Sequence, residues 1–131
     1  MRSPLRLSIL LLGALFALQG LAWLVDPTRV AAGLGMVLLD GLGRSTQIGD
    51  FASFFAMAGI LMILGSRPGR ATLLYVPAGL FGLAAVGRTL AWALHGADFA
   101  ATFIAIELAT AGLLLVAARR PDEGSPGSAR R

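Results

Sequence analysis

The chain has 131 residues, of which 56% are hydrophobic and 14% charged. A soluble domain carries about 25% charged residues and is ~45–50% apolar, so a water-soluble globule of this length could not hide the apolar surface. The net charge of +4 comes without any cysteine, which excludes disulfides, thiolate metal sites and a cysteine nucleophile.

The basic residues, eleven in all, are Arg without a single Lys. In a soluble protein such a balance suggests nucleic acid. Here most of the Arg residues flank apolar runs, which is the pattern that orients membrane segments, and no nucleic-acid partner is expected. The Ala, Gly, Leu and Arg usage is that of a GC-rich bacterial genome.

A bilayer core of ~30 Å takes about 20 helical residues. Four apolar runs meet this need, at residues 7–25, 48–64, 71–94 and 99–118. Backbone groups in lipid must be satisfied within each segment, so all four are expected to be helices. The expected fold is all-α: a four-helix transmembrane bundle over residues 1–120 with a long first extracytoplasmic loop, followed by a disordered tail at 121–131 rich in Pro, Gly and Ser.

The first run has only Ser8 and Gln19 as polar members. Arg2 and Arg6 before it resemble the charged start of a signal peptide, but the run exceeds the ~7–15 apolar residues of one and no small-x-small cleavage site follows. It reads as a retained helix that Pro27 ends. In the loop that follows, residues 30–39 are apolar but too short to span, so they should lie in the interface or dip back into the membrane. Gly33, Gly35, Gly41 and Gly43 argue against a rigid helix there. The stretch from Gly41 to Thr46 faintly resembles a phosphate loop, but it lacks the P-loop Lys and no strand precedes it.

The second run places Asp50 near its start, on a face with Gln47, Ser53 and Phe54. Phe51, Phe54 and Phe55 read as packing or lipid contact rather than a binding cage. In the third run Pro77 should kink the helix, and Ala78 and Gly82 have the small-xxx-small spacing of a close helix contact. The connector from His95 to Asp98 is so short that the third and fourth helices must be antiparallel neighbours. Glu107 lies near the middle of the fourth run.

Arg2, Arg6, Arg67, Arg70, Arg119, Arg120, Arg130 and Arg131 fall on one side of these spans, against Arg29 and Arg44 on the other. The positive-inside rule then puts both termini in the cytoplasm, and Trp23 and Trp92 at the outer interface as an aromatic belt. The expected location is the bacterial inner membrane.

With that topology Arg88 lies about 9 Å, Glu107 about 12 Å and Asp50 about 3 Å inward from the outer helix ends, at 1.5 Å per residue. A charge at the centre of a bilayer costs ~2.5–3.5 kcal/mol on insertion scales, so it has a partner, a water path or a role. Arg88, Glu107, Arg44 and Asp50 are the binding candidates, and Arg88 with Glu107 is the expected pair. One His excludes most His-based metal sites. No catalytic constellation, metal site or cofactor site is expected, and nothing points to an enzyme.

Arg44 precedes the second helix, followed by Gly49 and the Phe-rich segment from Phe51. Gly87-Arg88 comes late in the third helix, then a short Gly-containing connector, then Glu107. This order resembles the bacterial four-helix membrane family called domain of unknown function 4345, over roughly residues 5–120. The resemblance supplies no activity, but it implies that Arg44, Arg88 and Glu107 belong together. Where the family often has a second Gly, this chain has Asp50.

The functional expectation is an accessory or structural subunit that packs through Gly/Ala helix faces, with the lipid bilayer and either a membrane-protein partner or further copies of itself around it. The alternative is a binding or transport protein for a small solute, lipid or coupled ion, using an intramembrane Arg–Glu pair. A water-accessible cavity reaching Glu107 would favour the alternative.

Overall fold

The computed structural model describes residues 3–120, so the expected disordered tail, 121–131, lies outside the described residues. Among the described residues five helices are formed: α1 Ser3–Val25, α2 Pro27–Gly33, α3 Gly41–Gly65, α4 Tyr75–His95 and α5 Ala101–Ala118, with a 3-10 turn at Ala71–Leu74 before α4. No strand occurs among the described residues. Four of the helices are long and apolar enough to cross a membrane.

Their outward faces are made for lipid. Leu7, Leu11, Leu15 and Leu18 form one exposed ridge on α1, and Val76, Leu83, Val86 and Leu90 are exposed on α4. Within the most apolar stretch of each spanning helix only 22–33% of residues are buried. Water would penalise that exposure at ~25 cal/mol per Å² of apolar surface, whereas acyl chains do not. This is a multi-pass membrane protein, and its surroundings are the lipid bilayer.

The bundle consists of two helical hairpins, α1 with α3 and α4 with α5. The first is held by small residues. A Cβ on Gly20 would lie 2.5 Å from the Ala56 nitrogen, and one on Gly59 would lie 2.5 Å from the Gly13 carbonyl oxygen. The two backbones are therefore in direct contact, the arrangement that small residues permit in membranes. The small-xxx-small pair expected to pack, Ala78 and Gly82, behaves differently. Ala78 is buried, but Gly79, Gly82 and Gly87 of α4 have no neighbour within 4 Å of where a Cβ would be. Close packing belongs to α1 and α3 because their glycines face each other, while those of α4 look outward.

The hairpins join each other at one end. Ile9, Met62, Leu74, Phe81 and Leu114 share one core cluster there. Leu74 reaches into the space a side chain on Gly65 would fill, 2.5 Å from that Cβ position. The 3-10 turn supplies this wedge and also changes the role of Pro77. That residue lies in the first turn of α4, where a missing N–H removes no helical bond, so it does not kink a helix interior. At the far end of α4, Gly96 takes φ +66° and closes the helix in the left-handed conformation.

A second cluster gathers Trp23, Ala31 and Ala52. Trp23 is fully buried and stacks on Phe51 with centroids 5.0 Å apart, so it is a core residue and not part of an aromatic belt. Trp92 is half exposed against Phe99. The first loop is also more ordered than its glycines suggest. Asp26 accepts the Arg29 N–H at 3.2 Å and starts α2, which places Ala31 over Trp23.

Charge is uneven between the ends. Arg6, Arg67, Arg70, Arg119 and Arg120 lie where α1 begins and α5 finishes, and Asp26, Asp40 and Asp98 lie at the opposite end together with Arg29 and Arg44.

Candidate functional site

Above the shared core the two hairpins separate around a cavity of about 580 Å³. Every spanning helix contributes to it: Phe16 and Gln19 from α1, Phe54 and Asp50 from α3, Ala84 and Arg88 from α4, Glu107 from α5. Leu34 and Met36 of the first loop complete the lining.

One buried amide helps to hold that loop in place. Gln47 accepts the Leu39 N–H at 2.9 Å through Oε1 and donates Nε2 to the Val37 carbonyl at 3.2 Å. An amide satisfied on both sides in this way can be buried without penalty. It fixes residues 36–39 beside α3, and with them the edge of the cavity.

Arg88 and Glu107 form an ion pair at 2.7 Å between Nε and Oε1. The short connector aligns them in depth: Arg88 lies about 10 Å along α4 from His95, and Glu107 about 9 Å along α5 from Ala101. The guanidinium carbon also lies 4.7 Å from the centre of the Phe103 ring, a cation–π contact. Glu107 is buried, with 8% of its surface exposed, and its Oε2 has no hydrogen-bond partner. Only Nε of Arg88 is engaged in a hydrogen bond among the described residues, so the Nη edge keeps its donors.

Asp50 lies farther along its helix than the sequence suggests. The apolar run starts at Ile48, but α3 begins at Gly41. Asp50 is therefore about 13 Å along its helix and faces the same cavity as the pair. Residues 41–47, glycine and polar except for Leu42, join the helix because a helical backbone satisfies its own groups whatever its side chains, whereas an apolarity count stops where the continuous apolar run stops. Arg44 does not join Arg88 and Glu107. It pairs with Asp40 at 2.7 Å and donates Nε to the Leu39 carbonyl at 2.8 Å, one turn from the start of α3. An exposed acid four residues away is simply nearer than the cavity.

Residues 4–118 match the family described as domain of unknown function (DUF4345). The chain belongs to this family. No curated protein and no solved structure matches the chain. The family description names no activity, so the chemistry available to this DUF4345 protein is what its own cavity offers.

That offer includes residues not singled out from the sequence as site candidates. Phe51, Phe54 and Phe55 pack on one another, with Phe54 and Phe55 edge to face at 5.2 Å. They also line the cavity with Phe16, Phe81 and Phe103, so packing and lining are not alternatives. Gln19 is the polar member from α1. Its signal was present in the sequence as the lone amide of an apolar run. Among the described residues no group of three or more His, Cys, Asp or Glu is arranged to hold a metal ion.

Proposed function

We propose that this protein binds a small apolar or amphiphilic molecule in the cavity between its hairpins, with Arg88, Glu107 and Asp50 at the polar end. The observation that supports this is the cavity itself: an aromatic chamber whose charged lining residues are those three. Its volume falls in the range of ~300–1,000 Å³ found for small-molecule sites, which combine apolar walls with a few placed polar groups. An ion pair alone would need no chamber beside it.

A second reading keeps the protein as an accessory subunit. The outward Gly79, Gly82 and Gly87 of α4 supports it, since small residues let another helix approach closely. In both readings the Arg-rich end faces the cytoplasm of a bacterial inner membrane, on the positive-inside rule.

Ala84 lies on the cavity wall, one turn before Arg88. Ala84→Trp fills the chamber and keeps every polar group. Protein purified in native membrane discs is extracted and its bound molecules are identified by mass spectrometry. The binding reading expects a stoichiometric molecule on the wild type that is absent from Ala84→Trp. An empty wild type that carries a fixed protein partner, unaffected by Ala84→Trp, supports the accessory reading instead.

A further inference from the structure

The polar end of the cavity is more specific than its walls. Arg88 brings one positive charge, and Glu107 and Asp50 bring two negative ones. The positive charge is already engaged: Glu107 Oε1 takes Nε at 2.7 Å, and the Phe103 ring covers one face at 4.7 Å. An anionic head group entering here would meet a compensated guanidinium and two carboxylates. Like charges in a site of low dielectric repel strongly, so the chamber is built against an anion.

A cation is disfavoured for a different reason. Glu107 is buried and already paired with Arg88, so a cation would have only Asp50 to meet, an exposed carboxylate that solvent already satisfies. What remains unsatisfied is a matter of hydrogen bonds. Glu107 Oε2 is a buried acceptor without a donor. The Nη edge of Arg88 is a donor edge without an acceptor among the described residues. A buried acceptor left in that state is costly, and native structures leave few of them; the Nη edge belongs to a partly exposed side chain and is free to donate.

Resting on the binding reading above, we propose that the cavity takes a neutral amphiphile whose head group carries both a hydroxyl and an oxygen acceptor, such as a glyceride or a related lipid alcohol. The head group's oxygen accepts from Arg88 Nη, its hydroxyl donates toward Glu107 or Asp50, and its chain lies among Phe16, Phe54 and Phe81. The Arg88–Glu107 pair then works as a charge-neutral hydrogen-bonding plate and not as an anion hook.

The test uses the full chain in nanodiscs and three probes of equal chain length: a monoacylglycerol, a lysophosphatidic acid and an alkyltrimethylammonium. Binding is read by native mass spectrometry on wild type, Ala84→Trp, Glu107→Gln and Asp50→Asn. The wild type should prefer the monoacylglycerol by about tenfold over either charged probe. Glu107→Gln keeps an acceptor for Arg88 Nε but removes the charge paired with it, so preference should move toward the lysophosphatidic acid. Asp50→Asn should move it the same way by a smaller factor, and serves if Glu107→Gln does not fold. A wild type that prefers either charged probe overturns the proposal, as does an unchanged preference in folded Glu107→Gln and Asp50→Asn. If no probe binds, or if all bind equally to Ala84→Trp, the binding reading itself fails and takes the proposal with it.

Discussion

Gly59 of α3 lies against the backbone of Ala17 of α1, with an added Cβ only 2.8 Å from the Ala17 Cα. No side chain fits between them. The first hairpin therefore depends on a hydrogen atom in that place, and Gly59→Val must push the helices apart. Overpacking of this kind costs ~1–3 kcal/mol, and more where backbone is the obstacle. Thermal unfolding in detergent should show a clear loss of stability for Gly59→Val. Gly82→Val, facing open space on α4, should stay close to wild type. Equal losses in the two variants contradict this packing.

Arg88→Met removes the only hydrogen-bond partner that a buried carboxylate has among the described residues. Breaking a buried pair from one side costs ~3–5 kcal/mol, whereas replacing both members by apolar groups is often neutral. Arg88 is 36% exposed, so the low end of that range applies. Arg88→Met should be markedly destabilised in a denaturant titration. The double variant Arg88→Met/Glu107→Met should recover most of the loss. A double variant worse than the single would show that the pair itself holds the second hairpin together.

Gln47→Leu keeps the bulk of the side chain and removes both hydrogen bonds to residues 37 and 39. The freed backbone groups cost ~1–3 kcal/mol where they stay buried. Hydrogen–deuterium exchange at Leu39 should accelerate by at least an order of magnitude, while exchange in the middle of α3 stays slow. Unchanged protection at Leu39 would mean the loop is held by something other than this amide.

The two tryptophans should report opposite environments. Trp23 is fully buried and Trp92 is 51% exposed. In Trp92→Phe the remaining emission should be blue-shifted and resistant to quenchers in both water and lipid. In Trp23→Phe it should be open to quenching by brominated lipids. Efficient quenching of Trp23 would place it on the surface, as a belt residue.

The absence of cysteine makes orientation a direct measurement. His95→Cys should react with a membrane-impermeant maleimide in intact spheroplasts, and Arg67→Cys should react only after lysis. The opposite pattern would invert the topology.

The spans were legible in the sequence because lipid imposes a crude rule: about 20 apolar residues and a helix. The meeting of Arg88 and Glu107 was legible too, since the connector between α4 and α5 leaves their helices no choice of neighbour. What was hidden depended on facing. Period-based reasoning needs a polar side to orient a helix, and α1 and α5 have almost none. It therefore could not show that Gly59 looks at Ala17 while Gly82 looks outward, or that Trp23 points into the core. The start of α3 was missed because residues 41–47, mostly glycine and polar residues, are helical, and this displaced Asp50 along its helix by about two turns. Arg44 was grouped with the pair by its place in the chain order, which carries no information about Asp40 one turn away.

The plug of Ile9, Met62, Leu74, Phe81 and Leu114 also bears on permeation. These side chains are at most 3% exposed, so the chamber has a floor, and a hydrated thread from one aqueous phase to the other would have to dissolve it. In this shape the molecule is a vestibule without a back door: purified into a planar bilayer it should pass no current, because the floor closes the path past Arg88.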